Sequence, residues 1–161
     1  MAGFRLEPFA EAHMAELMGW FPDAASVDQW SGPFLRFPFT EATFREDLRL
    51  DQVDSWALLD EADRLTGFGQ VYERFGRNHL ARIAVNPDRR GQGVGHRLLA
   101  ALMAKGAMHP GCEEFGLYVY PHNEAAMRCY RAAGFIEATD PESYREKRGL
   151  IYLYMVASAA N

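Results

Sequence analysis

The chain has 161 residues, 48% of them hydrophobic, which is enough to bury the core of one compact domain. Its formal charge of −5 argues against a broad nucleic-acid-binding face, which would be basic, and is mildly compatible with a cationic substrate. There is no apolar run of about 18 residues and no signal-peptide pattern at the N-terminus. We expect a soluble cytoplasmic protein without a membrane or nucleic-acid partner.

Two cysteines, Cys112 and Cys129, are too few for a disulfide framework and lack the spacing of a metal site. We therefore expect reduced thiols and no bound metal. The chain contains no internal repeat and no linker-like segment. Residues 1–161 are interpreted as a single domain.

In the first half of the chain, strand patterns follow short helical ones. The elements predicted by hydrophobic periodicity and capping residues are a strand at 4–6, a helix at 9–20, an irregular aromatic segment at 21–39, a helix from the N-cap Thr40 to Leu50, and strands at Ser55–Leu59, Leu65–Phe75 and His79–Asn86.

In the second half, helices and strands alternate. The predicted elements are a helix at Val94–Ala107, a strand at Glu114–Tyr120, a helix at Asn123–Ala133 with Asn123 as N-cap and Gly134 as its stop, and strands at Ile136–Ala138 and Leu150–Val156, with a charged hairpin turn at Asp140–Arg148. This order is typical of an α/β protein.

The turn from Arg89 to Gly95 joins a predicted strand to a predicted helix and is rich in glycine and arginine. Such a turn can direct several backbone N–H groups, and the positive end of a helix dipole, at an anion. A dinucleotide fold would place it after the first strand, and a phosphate-binding P-loop would end in Gly-Lys-Ser/Thr. Neither holds here. The turn alone is compatible with a phosphate site or with a tight turn in solvent.

A second motif follows the turn at a defined distance. It has Asn123, Ala126 and Tyr130 on one predicted helix, followed by Gly134-Phe135. Together with the stretch from Val85 to Gly95, it resembles the GNAT superfamily of acyl-CoA N-acyltransferases. The resemblance covers about residues 55–156, whereas 1–54 fit only in outline, as the family's variable acceptor-side segment.

The resemblance implies a fold and a co-substrate. The fold is a mixed, mostly antiparallel, twisted sheet of about seven strands flanked by about four helices. The co-substrate is acetyl-CoA, whose pyrophosphate lies on the glycine turn beside Arg89 or Arg90, and whose pantetheine lies where the preceding strand splays from the next one. The residues expected to bind it are Ile83, Ala84, Val85, Arg90, Gly91, Gln92, Gly93, Val94, Gly95, His96 and Asn123.

The resemblance also implies direct transfer of acetyl to a primary amine of a small molecule or a protein N-terminus. At the family's tyrosine position, Tyr130 is expected to protonate the departing thiolate; without that context it is a core aromatic. Asn123 has two interpretations, as a helix cap alone or as a contact of the CoA chain.

The general base is less well defined. Many family members carry Glu where this chain has His79, on the strand that leads into the turn. Strand alternation predicts that His79 shares a face with Ala81, Ile83 and Val85. An imidazole suits a base at neutral pH, and Glu73 on the preceding strand is the rival candidate. Either side chain can instead be structural or solvated.

The aromatic segment at 30–39 suggests an acceptor channel. Trp30, Phe34 and Phe37 can line it, where rings stack on a cationic amine, or can pack in the core. Polyamines, aminoglycosides, amino-acid-like amines and protein N-termini all remain open as acceptors, and a homodimer is allowed. Two other functions stay open as well: a non-catalytic acyl-CoA-binding or sensing module, and a nucleotide-binding domain that uses the same turn.

Overall fold

The computed structural model describes residues 3–109, 111–142 and 152–158. In these ranges there are seven strands, namely β1 (Arg5–Pro8), β2 (Asp54–Leu59), β3 (Leu65–Arg74), β4 (Arg77–Val85), β5 (Glu114–Val119), β6 (Ile136–Ala138) and β7 (Leu153–Ser158). The α-helices are α1 (Met14–Gly19), α2 (Ala24–Ser31), α3 (Glu41–Asp47), α4 (Val94–Gly106) and α5 (Glu124–Ala132).

All seven strands form a single sheet in the order β1-β2-β3-β4-β5-β7-β6. Every neighbouring pair is antiparallel except β4 and β5, which are parallel. The predicted mixed, mostly antiparallel sheet is therefore confirmed. Among the described residues, no helix is both long enough and apolar enough to cross a bilayer.

The parallel strands β4 and β5 pair only at their beginnings. Asn78 is opposite Phe115 and His79 is opposite Gly116, and the register goes no further. Beyond these pairs the two strands separate, which leaves the edge of β4 at residues 80–85 without a strand partner on that side. This is the gap that the resemblance predicted.

A hydrophobic core lies on each face of the sheet. Helices α4 and α5 cover one face through Val94, Leu98, Leu99, Leu102, Met127 and Tyr130. Helices α1, α2 and α3 cover the other face through Met14, Leu17, Val27, Phe44 and Leu48. The sheet is thus the middle layer of three, as expected for an α/β protein.

A β-bulge interrupts β4. The register between β3 and β4 shifts between Phe68 and Gln70, and Arg82 has a left-handed φ of 50°. One extra residue on β4 therefore lies opposite β3 at this point. A bulge reverses the side-chain alternation of the strand that carries it.

That reversal corrects the prediction about His79. Leu80 packs in the α4-side core before the bulge, and Ile83 and Val85 pack against the same core after it. Since adjacent side chains point to opposite faces, His79 faces the α1–α3 side. Strand alternation had placed it with Ile83 and Val85, which was wrong because regular alternation takes no account of the extra residue at Arg82.

The N-terminal helices also differ from the prediction. The helix expected at 9–20 is a short 3-10 turn followed by α1. The segment at 21–39, expected to be irregular, contains α2, so the described residues have five α-helices where about four were expected. Asp23 caps α2 by accepting a hydrogen bond from the Ser26 N–H at 2.8 Å. Asp after Pro22 is a helix-start signal that the proline-rich context obscured.

The predicted helix caps agree with the structure, but α3 ends at Asp47 instead of about Leu50, since Arg49 has a left-handed φ of 54°. Thr40 caps α3, Asn123 caps α5, and Gly134 follows α5 with a φ of 100°. β7 ends at Ser158 rather than Val156, and residues 150 and 151 of that predicted strand lie outside the described residues. The same is true of 143–148 in the predicted charged hairpin turn.

Substitution of Gly116 tests how tightly the side chains are packed at the point where β4 and β5 separate. A Cβ built there would lie 2.4 Å from the Tyr154 hydroxyl oxygen and 3.0 Å from its Cζ. Tyr154 is almost completely buried, so its ring has little room to move. We expect Gly116→Ala to lower the free energy of unfolding by about 2 kcal/mol, measured by chemical denaturation.

Gly19→Ala is the matched control. Gly19 ends α1, its φ is not positive, and a Cβ there meets no atom within 4 Å. We expect an unchanged or slightly higher stability for this variant. An equal loss in both variants would show that steric overlap with Tyr154 is not the cause.

Candidate active site

A cleft of about 1340 Å³ opens where β4 and β5 separate. It runs from the start of α4 to the connection between α3 and β2. Most of the predicted site residues line it, namely Trp30, Phe34, Glu73, His79, Ile83, Ala84, Val85, Arg90, Gly91, Gly93, Val94, Gly95, His96, Asn123 and Tyr130.

Two predicted residues do not line the cleft. The amide of Gln92 donates to the carbonyl oxygen of Asp88 at 3.4 Å and accepts from Arg89 Nε at 3.3 Å, which turns this side chain back onto its own loop. Phe37 is exposed and packs edge-on against Phe39, with ring centroids 5.4 Å apart. Neither side chain reaches the other site residues.

The glycine turn presents an uncapped helix N-terminus to the cleft. Gly91 and Gly93 have φ angles of 75° and 78°, a region that favours glycine. Gly93 is the N-cap of α4 and has no side chain to accept from the first N–H groups of the helix. These donors, together with the helix dipole, are suited to an anion.

The two arginines of the turn have different surroundings. Arg89 forms an ion pair with Asp60, with its Nη1 2.9 Å from the carboxylate, which ties the turn to the β2–β3 connection. Arg90 is exposed, lines the cleft and has no ion-pair partner among residues 3–109, 111–142 and 152–158. Arg90 is therefore the cation available to a ligand at the turn.

Tyr130 forms part of the cleft wall on α5. It is only 9% exposed, and its ring packs against Phe135 at a centroid distance of 6.1 Å. Burial raises the pKa of Tyr130 well above its ordinary value, so the phenol stays protonated at neutral pH. Asn123, at the start of the same helix, accepts from the Ala126 N–H at 3.3 Å while it lines the cleft. Capping therefore does not withdraw it from the cleft.

His79 lies deep in the cleft wall and is 3% exposed. Its ring is between Tyr72 and Tyr118, at centroid distances of 5.3 and 5.6 Å, and its Nδ1 has no hydrogen-bond partner in the described part of the chain. Burial, with the charges of Arg74 and Arg82, lowers the pKa of His79 to about 3. The imidazole is therefore neutral at physiological pH.

Trp30 serves both as core and as cleft wall. Its ring stacks on Phe21 at a centroid distance of 4.0 Å and an interplanar angle of 9°. The indole N–H donates to the Arg82 carbonyl oxygen at 2.9 Å. This bond attaches α2 to the bulge of β4, so the two interpretations of Trp30 are compatible.

Sequence reasoning missed several lining residues. They include Tyr118, Tyr120 and Tyr152 near the mouth and Arg49, Arg74 and Arg82 at the end opposite the glycine turn. One signal was available: Arg82 is a charged residue inside the otherwise apolar run from Leu80 to Val85. Such a residue is unusual in a buried strand and favours a functional role.

A sequence model of the acetyltransferase (GNAT) family matches residues 23–135, more than half of the chain. The chain belongs to this family. The resemblance drawn from the glycine turn and the motif around Tyr130 is thereby confirmed. The GNAT fold accounts for the single parallel strand pair at the centre of the sheet.

Two curated relatives are acetyltransferases. The thialysine N-epsilon-acetyltransferase of Bos taurus is 34% identical over 85 residues, covering 50% of this chain and 49% of that protein. The mycothiol acetyltransferase of Clavibacter michiganensis subsp. michiganensis is 36% identical over 133 residues, covering 76% and 43%. The chain spans about half the length of these relatives.

Solved GNAT structures share the fold over nearly the whole chain. A spermidine N-acetyltransferase from Vibrio cholerae, crystallised with CoA and spermine, superimposes with a TM-score of 0.72 over 97% of this chain and 95% of that one. The two sequences are 12% identical, so the likeness concerns the fold.

The pKa of His79 leads to a prediction about stability. In the unfolded chain an imidazole has its ordinary pKa of about 6.5, whereas in the folded chain it is about 3. Between these values the unfolded state binds more protons, so this contribution to stability is complete above pH 6.5 and is lost as the pH falls.

We expect His79→Gln to flatten the fall in unfolding free energy between pH 6.5 and 4 relative to the unsubstituted chain, measured by denaturation at each pH. NMR of the imidazole nitrogens should show a neutral His79 ring at pH 5. An imidazolium signal at that pH would contradict the prediction.

Proposed function

We propose that this chain is an N-acetyltransferase that transfers acetyl from acetyl-CoA directly to a primary amine. The observation that carries the proposal is the cleft itself. An unpaired strand edge, an uncapped helix N-terminus at one end and a buried phenol in the wall are brought together where β4 leaves β5. Membership of the GNAT family and the named activities of the relatives support it.

Acetyl-CoA binding follows from two backbone features. The pyrophosphate would accept hydrogen bonds from the turn around Gly91 and Gly93 and from the first N–H groups of α4, with Arg90 as counter-charge. The amides of pantetheine would pair with the free edge of β4 near Ile83 and Val85, as an added strand does. The thioester would then lie between the bulge and Tyr130.

Acetyl transfer requires that one proton is removed from the amine and that one is donated to the departing thiolate. The neutral amine attacks the thioester carbonyl carbon, and a C–N bond forms while the carbonyl oxygen gains negative charge. A backbone N–H on β4 can stabilise this oxygen. The C–S bond then breaks, and the Tyr130 hydroxyl protonates the departing thiolate. Because burial keeps the Tyr130 phenol protonated, it is available as this acid.

Glu73 is the better candidate for the base. His79 lines the same cleft, but its lowered pKa makes it a weak proton acceptor. Glu73 is exposed on β3 and is the carboxylate among the described lining residues. We expect Glu73→Gln to remove the acidic limb of the pH–rate profile of kcat/KM and His79→Gln to retain it. The reverse pattern would assign the base to His79.

The Tyr130→Phe variant distinguishes an effect on the chemical step from an effect on CoA binding. We expect kcat to fall by about 10²- to 10³-fold, because the acid is lost, while the Kd for CoA measured by calorimetry is unchanged. Arg90→Gln should show the opposite split, with weaker CoA binding and a retained kcat. Tyr154→Phe is the matched control, since Tyr154 is buried but does not line the cleft. Full activity in Tyr130→Phe would exclude the phenol as the acid.

The activity itself is tested with a panel of primary amines and acetyl-CoA, with free-thiol release as the readout. Release that depends on both the amine and the chain supports acetyl transfer. CoA binding without release for any amine would make the chain an acyl-CoA-binding module. Stronger thermal protection by ATP or NAD than by CoA would identify a nucleotide-binding domain.

A further inference from the structure

Three arginines surround the end of the cleft opposite the glycine turn. Arg49 follows α3, Arg74 ends β3, and Arg82 occupies the bulge of β4. This end of the cleft is positively charged although the chain carries a net charge of −5. Glu73 is the single acidic residue among the described residues that line the cleft.

Arg82 is held in position without a carboxylate. Its Nη1 donates to Gln70 Oε1 at 3.0 Å, and Gln70 is itself fixed by its bond to the Leu48 carbonyl oxygen at 2.8 Å. The Nε atom of Arg82 is buried and has no hydrogen-bond partner in the described part of the chain. Within that part, Arg82 forms no ion pair.

Asp47, an acidic side chain that interacts electrostatically with Arg82, already has a partner. Asp47 accepts from Arg36 through both carboxylate oxygens, at 2.9 and 3.1 Å, and senses Arg82 only through a longer-range attraction. It lies outside the lining of the cleft. The charge of Arg82 is therefore not neutralised from the protein side by Asp47.

The other two arginines add positive charge. Arg49 is exposed on the cleft rim and makes no ion pair with any residue in the described ranges. Arg74 lies 3.7 Å from Glu142, with its guanidinium over the rings of Phe75 and Tyr118. Burial lowers the pKa of Arg82, repulsion from Arg49 and Arg74 lowers it further, and the interaction with the Tyr72 hydroxyl opposes this shift only in part.

Removing a guanidinium from water without a counter-ion is costly, and a buried donor without an acceptor adds to that cost. An anionic group bound at Arg82 would offset both and would relieve the repulsion among the arginines. A polyamine would instead add positive charge to the same end of the cleft. The electrostatics therefore favour an acceptor that carries an anion.

We propose that the acceptor is a small primary amine bearing a carboxylate, which binds at Arg82 with Arg49 and Arg74 beside it. This inference rests on the proposed acetyl transfer in the same cleft. The amine would then lie nearer to the thioester.

Pairs of acceptors that differ only in the carboxylate test this directly. L-lysine is compared with cadaverine, and L-ornithine with putrescine, by kcat/KM for thiol release from acetyl-CoA. We expect the carboxylate-bearing member of each pair to be favoured by about 10- to 100-fold, as a charge-assisted contact provides. Arg82→Gln should reduce this preference to about unity.

Two further variants make the result interpretable if Arg82→Gln folds poorly. Arg49→Glu, on the exposed rim, should shift the preference towards the diamine. Arg64→Glu makes the same charge change at an exposed position outside the cleft and should leave the preference unchanged. An unaltered preference in Arg49→Glu, or an equal shift in Arg64→Glu, would overturn the proposal.

These measurements distinguish failure of the acceptor proposal from failure of the acetyl-transfer proposal. If diamines react as well as or better than their carboxylate-bearing counterparts, the acceptor inference is wrong and acetyl transfer stands. If neither member of any pair releases thiol, acetyl transfer to these amines fails. Thermal stabilisation then decides the inference: with CoA present, the amino acid must raise Tm more than its diamine, and Arg82→Gln must abolish the difference.

Discussion

The separation of β4 from β5 is the constraint on which the rest of the structure depends. A parallel pair that stops after His79 leaves backbone donors and acceptors on β4 that the sheet does not satisfy. Each must bond to water or to a ligand. A pantetheine-like chain has two amide groups and can pair with part of this edge as an added strand does. The glycine turn matters because it follows this open edge, and Arg82 matters because it lies within the edge.

The bulge at Arg82 determines which side chains of that edge face the core and which face the cleft. It turns Ile83 and Val85 towards the α4-side core, which holds the strand beside the helix that starts at the glycine turn. It also places the Arg82 guanidinium at the acceptor end, where Gln70 orients it. The Arg82 carbonyl oxygen, which faces away from the ladder, accepts from Trp30 and so attaches α2. One extra residue therefore links the core, the cleft and the acceptor-side helices.

Features encoded locally could be predicted from the sequence. The caps at Thr40 and Asn123, the glycine turn and the amphipathic face of α4 each depend on residues a few positions apart. The bulge could not, because it is defined by the register of β4 against β3 and no local pattern specifies it. Net charge also does not predict the charge inside the cleft. It describes the whole surface, whereas the cleft concentrates three arginines from three distant segments.

The distribution of charge along the cleft affects the pKa of an acceptor amine. It therefore also affects how strong a general base is needed to deprotonate that amine. Positive groups lie at both ends, with Arg90 at the turn and Arg82 at the acceptor end, and between them burial keeps both His79 and Tyr130 uncharged. An ammonium group brought into this field is destabilised relative to the neutral amine, so its pKa falls. The arginines that would bind a carboxylate therefore also favour the nucleophilic form of the amine. The proposed base, Glu73, would then accept a proton that the site has already made easier to lose, and the weak basicity of a carboxylate would be no obstacle to the transfer.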